Sequence, residues 1–409
     1  MFTRRDFVRN GLALVSLGAG VPRIFQQGLA LAEHDASDKP ERSLVIVQLA
    51  GGNDGLNTVV PYNDGTYHTL RPALGIAADK AIHLNDTFGL HPAMTGLKSL
   101  WDQNMVAIVQ GVGYANPNYS HFRAMEIWQT AHPETAPGEG WVGKYLDTQQ
   151  TVHNSLLGLN IGNSTPHDFL STAPPIPSLN RPEDYKLRPG GDGPAQTAQR
   201  DTAVLQLYEL YAGEAKYGAL LQGTIADAFD SSAKVGQIVG GYQAAAQYPQ
   251  TPIANGLKMI ASVLAANTGL RVAHVQLGGF DTHARQPADQ EKLLGQLSDA
   301  LAAFYQDLAA HNRAQNTVTM TWSEFGRRAG QNASDGTDHG SAAPLFIVGG
   351  AVKGGFYGDM PALTNLDAGN LRYTTDFRSV YATLLDQWLQ ADANALLGAS
   401  YDRLGFLAA

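Results

Sequence analysis

The sequence predicts an α/β protein, a three-layer α/β/α sandwich built on a mostly parallel central sheet. Six nearly continuous apolar runs, "SLVIVQLA", "MVAIVQGVG", "SLLGLNIG", "RVAHVQLGG", "NTVTMTWSE" and "APLFIVGG", read as strands covered on both faces. Helical patterns separate them, and buried strands alternating with helices indicate a parallel sheet. Several of these runs also end in glycine-flanked polar residues, and ligands of such sheets sit outside the carboxyl ends of the strands.

The first residues stand apart from that globule. "TRRDFVR" is followed by the uncharged "NGLALVSLGAGV" and then "LALA", which reads as a signal peptide over residues 1–32. Thr3, Arg4, Arg5, Asp6, Phe7, Val8 and Arg9 resemble the twin-arginine export signal; the other reading is a basic amphipathic helix. The apolar run is too short and glycine-rich for a permanent span of about 20 residues, so no membrane anchor is expected. The export machinery is then a partner, and the location periplasmic or secreted. Loss of Arg4, Arg5, Arg9, Arg23 and Asp6 with the leader moves the formal charge from -9 to -12, which argues against nucleic acid as a partner. The chain has no cysteine, which excludes disulfides, thiolate metal sites and cysteine nucleophiles and suits an oxidising compartment.

A polar linker, 33–42, leads into the α/β domain expected over 43–409. "ADQEKLLGQLSDALAAFYQDLAAH" is the clearest helix, with Leu294, Leu297, Leu301, Phe304 and Leu308 on one stripe. Others are expected at "TAVLQLYELYAGEA", "ANGLKMIASVLAAN" and "RSVYATLLDQWLQ". The stretch 164–197 has no apolar period and many prolines and glycines; it reads as a lid over an active site or as a disordered excursion.

The strand ends deliver polar residues that a packed core has no use for. They are Asn53 and Asp54 in "GGNDG", Asp281 and His283 in "GGFDTH", Glu324 in "WSEFGRR", and Asp338 with His339 in "GTDHG". Carboxylates and imidazoles gathered on one sheet edge are the ligand types of Zn²⁺, Mn²⁺ or Mg²⁺. Each also has a structural reading: Asp54 as a turn aspartate, Glu324 as the partner of Arg327 or Arg328, a histidine as a hydrogen-bonded core residue. "AGGNDG" has the wrong spacing for a dinucleotide fingerprint, and no lysine follows to make a P-loop. In "NPNYSHFRAMEIWQT", Ser120 precedes a helix, where it serves either as the cap or as a nucleophile activated by a metal. His121 and Arg123 lie beside it, and arginine can clamp an anionic tetrahedral group.

The ordered set "QLAGGNDGLNTVVPY", "NPNYSHFRAMEIWQTA", "GGFDTHARQ", "SEFGRR", "GTDHGSAAPLFIVGGAVKGG" and "TTDFRSVYATLL" resembles the domain of unknown function 1501 family, from about Ser43 to Leu389. The resemblance implies an exported protein with an alkaline-phosphatase-like fold, grouped with the alkaline phosphatase and sulfatase superfamily. It further implies one or two divalent ions held by Asp54, Asp281, His283, Glu324, Asp338 and His339, with Glu324 and Asp338 competing for one template position. Ser120 would be the nucleophile, assisted by His121 and Arg123, and Asn53, Arg327 and Arg328 would meet a small anionic ester. Asp376 corresponds to a structural aspartate. The chain departs from the template in two places: Asp281 and His283 are separated by one residue where three are usual, and no histidine follows His339. Ser120 lacks the proline context of formylglycine sulfatases. The expected function is metal-dependent hydrolysis of phosphate or related anionic esters. The alternatives are a metal-stabilised binding or scaffold protein and a carbohydrate-modifying enzyme outside phosphoryl chemistry.

Overall fold

A computed structural model describes residues 41–134, 138–149, 154–171, 176–180, 199–200, 202–204, 206 and 218–408. The leader, most of the linker, most of the helix expected at "TAVLQLYELYAGEA" and the second half of the excursion lie outside the described residues. Residues 41–180 and 238–409 form one compact unit; residues 1–40 and 181–237 group as another. The second unit includes most of the helix Gly218–Gly241.

The sheet of the first unit contains all six expected strands: β1 (Ser43–Ala50), β2 (Val106–Gly113), β3 (Gly158–Ile161), β4 (Val272–Gly278), β5 (Thr317–Trp322) and β6 (Ala343–Gly349). Two short additions are β7 (Gly355–Tyr357) and β8 (Thr375–Asp376). The order is β7-β2-β6-β5-β1-β4-β3, with β8 also on β2. β1 pairs in parallel with both β4 and β5, β3 with β4, and β7 and β8 with β2. Among the described residues of this sheet only β6 runs antiparallel, between β5 and β2. The mostly parallel α/β sheet is therefore as expected. The reversed β6 matters for function, since an antiparallel strand begins where its neighbours end.

Helices cover both faces. The helices of this unit include α1 (Gly55–Thr58), α2 (Thr95–Asp102), α3 (His121–Thr130), α4 (Trp141–Thr148), α5 (Pro252–Ala265), α6 (Gln286–Ala310), α7 (Phe377–Thr383) and α8 (Ala393–Leu397), besides a short turn of helix at Gly65–Leu70. Leu44 and Ile46 of β1, Val318 and Met320 of β5, and Leu345 and Ile347 of β6 pack with Trp128 of α3, Trp141 and Tyr145 of α4, and Phe377 and Tyr381 of α7. Val45 and Val47 alternate to the other face, fully buried, where α2, α5 and α6 pack together. There Tyr305 of α6 bonds Thr319 of β5 through its hydroxyl at 2.8 Å. Each such aliphatic side chain contributes about 1.5–3 kcal/mol by leaving water.

Part of the expected irregular stretch is ordered against the sheet edge. Asn160 of β3 forms a parallel bridge with Ser178, and its N–H donates to the Pro177 carbonyl at 2.9 Å. Apolar period alone could not reveal this, because one bridge leaves no alternating pattern.

Candidate metal centre

β1, β4 and β5 lie side by side and end on the same edge, so Gly51–Asp54, Gly279–His283 and Ser323–Glu324 emerge together. β2 is parallel to β5 through the reversed β6, and its continuation leads there to α3 and His121. The segment before β6 returns to this edge carrying Asp338 and His339. The approach is close: a Cβ on Gly51, whose φ is +122°, would lie 2.4 Å from the Asp281 nitrogen, and one on Gly336 would lie 2.2 Å from the His283 carbonyl carbon.

Three imidazoles surround the Asp281 carboxylate. Asp281 Oδ1 lies 3.1 Å from Nε2 of both His283 and His339, and Oδ2 lies 3.5 Å from Nε2 of His121. The two histidine Nε2 atoms are 3.0 Å apart. On the far side of each ring an oxygen receives Nδ1. His121 Nδ1 donates to Glu324 Oε1 at 2.8 Å, His283 Nδ1 to Asp338 Oδ1 at 3.3 Å, and His339 Nδ1 to the Tyr119 carbonyl at 2.8 Å. Glu324 Oε1 also accepts the Gly51 N–H at 2.9 Å, so it is an acceptor and the proton belongs to the ring. With Nδ1 protonated, a cation can displace any Nε2 proton shared with Asp281 and meet an inward-facing lone pair on each ring.

Such a set suits a cation. Ligands about 2.0–2.2 Å from a tetrahedral zinc ion lie roughly 3.3 Å from one another, close to the separations found here. Metal-bound histidines also donate their second ring N–H to a carboxylate or backbone carbonyl, which fixes tautomer and orientation. His121, Asp281 and His339 could therefore hold a metal ion, and His283 points its Nε2 at the same carboxylate.

Electrostatics keeps the central carboxylate charged. Burial alone raises the Asp281 carboxyl, but hydrogen bonds from Arg327 and His339 and the charges of Arg327 and His283 outweigh it, lowering it to about 2. Desolvation likewise works upward on Asp338, and Asn332, His283 and Arg328 bring it below the ordinary carboxylate range. Phe325 forms a dry wall, its ring centroid 4.5 Å from that of His339 and 4.9 Å from that of His121.

Several residues expected in the site have other work. Asp54, expected as a ligand, is buried; its carboxylate takes two bonds from Arg71 and one from Gln286, and caps α1 through the Leu56 N–H. Asn53, expected to meet substrate, is also buried, exchanging hydrogen bonds with Thr58. Arg327 is 1% exposed and donates to the carbonyls of Gly51, Gly52, Phe280 and Thr337 as well as to Asp281 at 2.8 Å, so it ties three loops together and is not open to a substrate. Arg123 turns along its own helix to Glu126 and to the Pro133 carbonyl. Glu324 and Asp338, expected as ligands, orient imidazoles, while His121, expected as catalytic, joins the converging set.

Two expected residues remain open to a substrate. Ser120 is exposed at the N-cap of α3 and makes no capping bond through its side chain. Arg328 is exposed beside Asp338, whose carbonyl accepts its N–H at 3.0 Å. Sequence reasoning passed over Arg71, Gln286 and Tyr119. Arg71 stands in no motif, Gln286 closes "GGFDTHARQ" at the start of α6 with nothing in the spacing to mark it, and Tyr119 acts through its backbone, which no side-chain pattern reports.

Fold and site together define a three-layer α/β protein with a histidine–aspartate cluster at the carboxyl edge of its sheet that could hold a metal ion. The chain belongs to the family described as protein of unknown function (DUF1501), which matches residues 41–403. No curated protein matches it. Among solved structures it is similar to the PsFucS1 sulfatase from Pseudoalteromonas sp., at 10% identity over 93% of this chain and 72% of that one, with a TM-score of 0.38. It is also similar to a protein in the alkaline phosphatase superfamily from Vibrio parahaemolyticus, at 10% identity over 89% and 68%, TM-score 0.36. A third is the C-terminal periplasmic domain of EcEptC from Escherichia coli in complex with Zn, at 10% identity over 76% and 74%, TM-score 0.34.

Proposed function

We propose that the protein is an exported metal-dependent hydrolase of phosphate or related anionic esters. One observation supports this above the others: three Nε2 atoms and the ionised Asp281 converge while each Nδ1 faces an outer oxygen. Three imidazoles with one carboxylate favour zinc over magnesium. A divalent ion held by His121, His283, His339 and Asp281 would supply Lewis acidity, making a neighbouring oxygen more acidic and an ester more electrophilic. Ser120, next to the ligand His121, offers the nucleophilic hydroxyl. The N-terminus of α3, which no Ser120 side-chain bond caps, favours negative charge beside it. Arg328 offers an exposed guanidinium for the anionic group. Glu324, Asp338 and the Tyr119 carbonyl keep the imidazoles turned inward, and Arg327 keeps Asp281 charged and in place.

The alternative, a metal-stabilised binding protein without turnover, is favoured by the departure of Arg123 and Arg327 from the substrate side, which leaves fewer cations for a transition state. Metal analysis of the purified protein separates the first question from the second: absence of bindable divalent metal sinks both readings. With metal present, turnover of a panel of phosphomonoesters, phosphodiesters and sulfate esters is compared in wild type and Ser120→Ala. Hydrolysis by wild type and its loss in the variant support the enzyme. A metal-loaded protein that turns over nothing is the binding protein.

A further inference from the structure

Four large apolar side chains are exposed among the described residues: Tyr119 at 41%, Phe122 at 86%, Tyr373 at 40% and Leu170. Scattered exposed apolar residues are ordinary and need no explanation. The three aromatic ones belong to chain segments at the edge where the metal-site residues gather. Tyr119 supplies the carbonyl that holds His339, and Phe122 directly follows His121 in the first turn of α3. Tyr373 sits at the end of β2, where a Cβ added to Gly113 would lie 2.9 Å from its own Cβ, and the neighbouring Thr374 N–H donates to the Gly111 carbonyl. Among the described residues none of the three rings stacks on another aromatic ring. Phe122 is almost wholly exposed and each tyrosine keeps about two-fifths of its surface exposed, whereas Phe325 is packed against His121 and His339.

We infer that these rings form a rim that holds the alcohol portion of the ester, and that this portion carries a ring. The inference rests on the anionic-ester reading above and names its substrate class. The metal ligands and Arg328 account for the charged end of such a substrate, whereas nothing charged is needed where Tyr119, Phe122 and Tyr373 stand. Aromatic faces recognise flat or weakly puckered rings through stacking and C–H contacts, and a short alkyl group covers too little of them to gain much. An aryl group and a sugar ring share this chemistry.

The test uses the zinc-loaded protein and three phosphonates that cannot be hydrolysed: methylphosphonate, phenylphosphonate and a C-glycosyl methylphosphonate, with dissociation constants read by calorimetry. At least one ring compound is expected to bind roughly tenfold more tightly than methylphosphonate. The tighter of the two identifies the ring. In Phe122→Ala, and separately in Tyr373→Ala, the ratio of ring to methyl affinities falls towards one, with wild-type zinc content as the control for folding. Tyr373 is remote in sequence from every proposed ligand, so its variant covers the case in which a change beside His121 disturbs the metal. Equal affinity for all three phosphonates, or a ratio unchanged in both variants, overturns the ring inference and leaves the anionic-ester reading standing. Failure of every phosphonate to bind overturns the anionic-ester reading and this inference with it.

Discussion

The Nε2 atoms of His283 and His339 face one another at 3.0 Å, and the Nδ1 protons of both rings are engaged elsewhere, by Asp338 and by the Tyr119 carbonyl. Two lone pairs at that distance repel unless a cation or a shared proton lies between them. The purified protein is therefore expected to retain a divalent ion. His339→Ala and Asp281→Ala are expected to abolish stoichiometric binding, read by elemental analysis after dialysis.

Glu324 touches the centre through His121 and is fully buried. Glu324→Gln keeps the shape and removes the charge that holds the ring proton. Loss of such an outer partner typically costs about 10–100-fold in metal affinity, the change expected in a competitive chelator titration. Circular dichroism should remain that of the wild type.

Arg327 satisfies four carbonyls and Asp281 from a buried position. Lysine cannot reproduce that planar fork. Arg327→Lys is expected to lower unfolding stability by at least about 2 kcal/mol in urea, because buried carbonyls lose their donors. It should also weaken metal binding, since Asp281 loses its anchor.

Asp54 and Arg71 form a buried pair with two contacts, and removal of one partner leaves an uncompensated charge. Arg71→Met should cost about 3–5 kcal/mol. The double variant Arg71→Met with Asp54→Asn should recover much of that loss, which a double-mutant cycle measures. Any folded fraction should keep its metal, because Asp54 lies outside the converging set.

Asp168 is 1% exposed, and burial pushes its carboxyl up to about 7 despite backbone hydrogen bonds from Phe169 and its own N–H. Its Oδ1 meets no partner. The folded protein thus keeps a proton that the unfolded chain releases above about pH 4. Stability should fall as pH rises from about 4 to about 7 and level off beyond. Asp168→Asn should remove this slope and raise stability at pH 8 by about 2–4 kcal/mol, with little effect at pH 4, as read by urea unfolding at the two values.

The six strands and the edge on which polar residues gather were legible because strand burial and turn glycines are local properties. "GGFDTH" and "GTDHG" bring Asp281, His283 and His339 together at that edge. The roles of Asp54 and Arg327 were not legible. Both occupy strand-end loops with the composition of a site, yet Asp54 turns to Arg71, 17 residues away, and to Gln286, 232 residues away. His121 was legible as a site residue, but its partner Glu324 lies 203 residues on, and no spacing rule connects them.

The sequence by itself determined the class of fold and the segments that carry chemistry, since apolar period and chain-bending glycines act within a few residues. Tertiary structure alone decided which side chains face inward and which hold them there. A loop carboxylate takes its direction from whichever donor the distant strands bring within reach: Arg327 for Asp281, and Arg71 for Asp54.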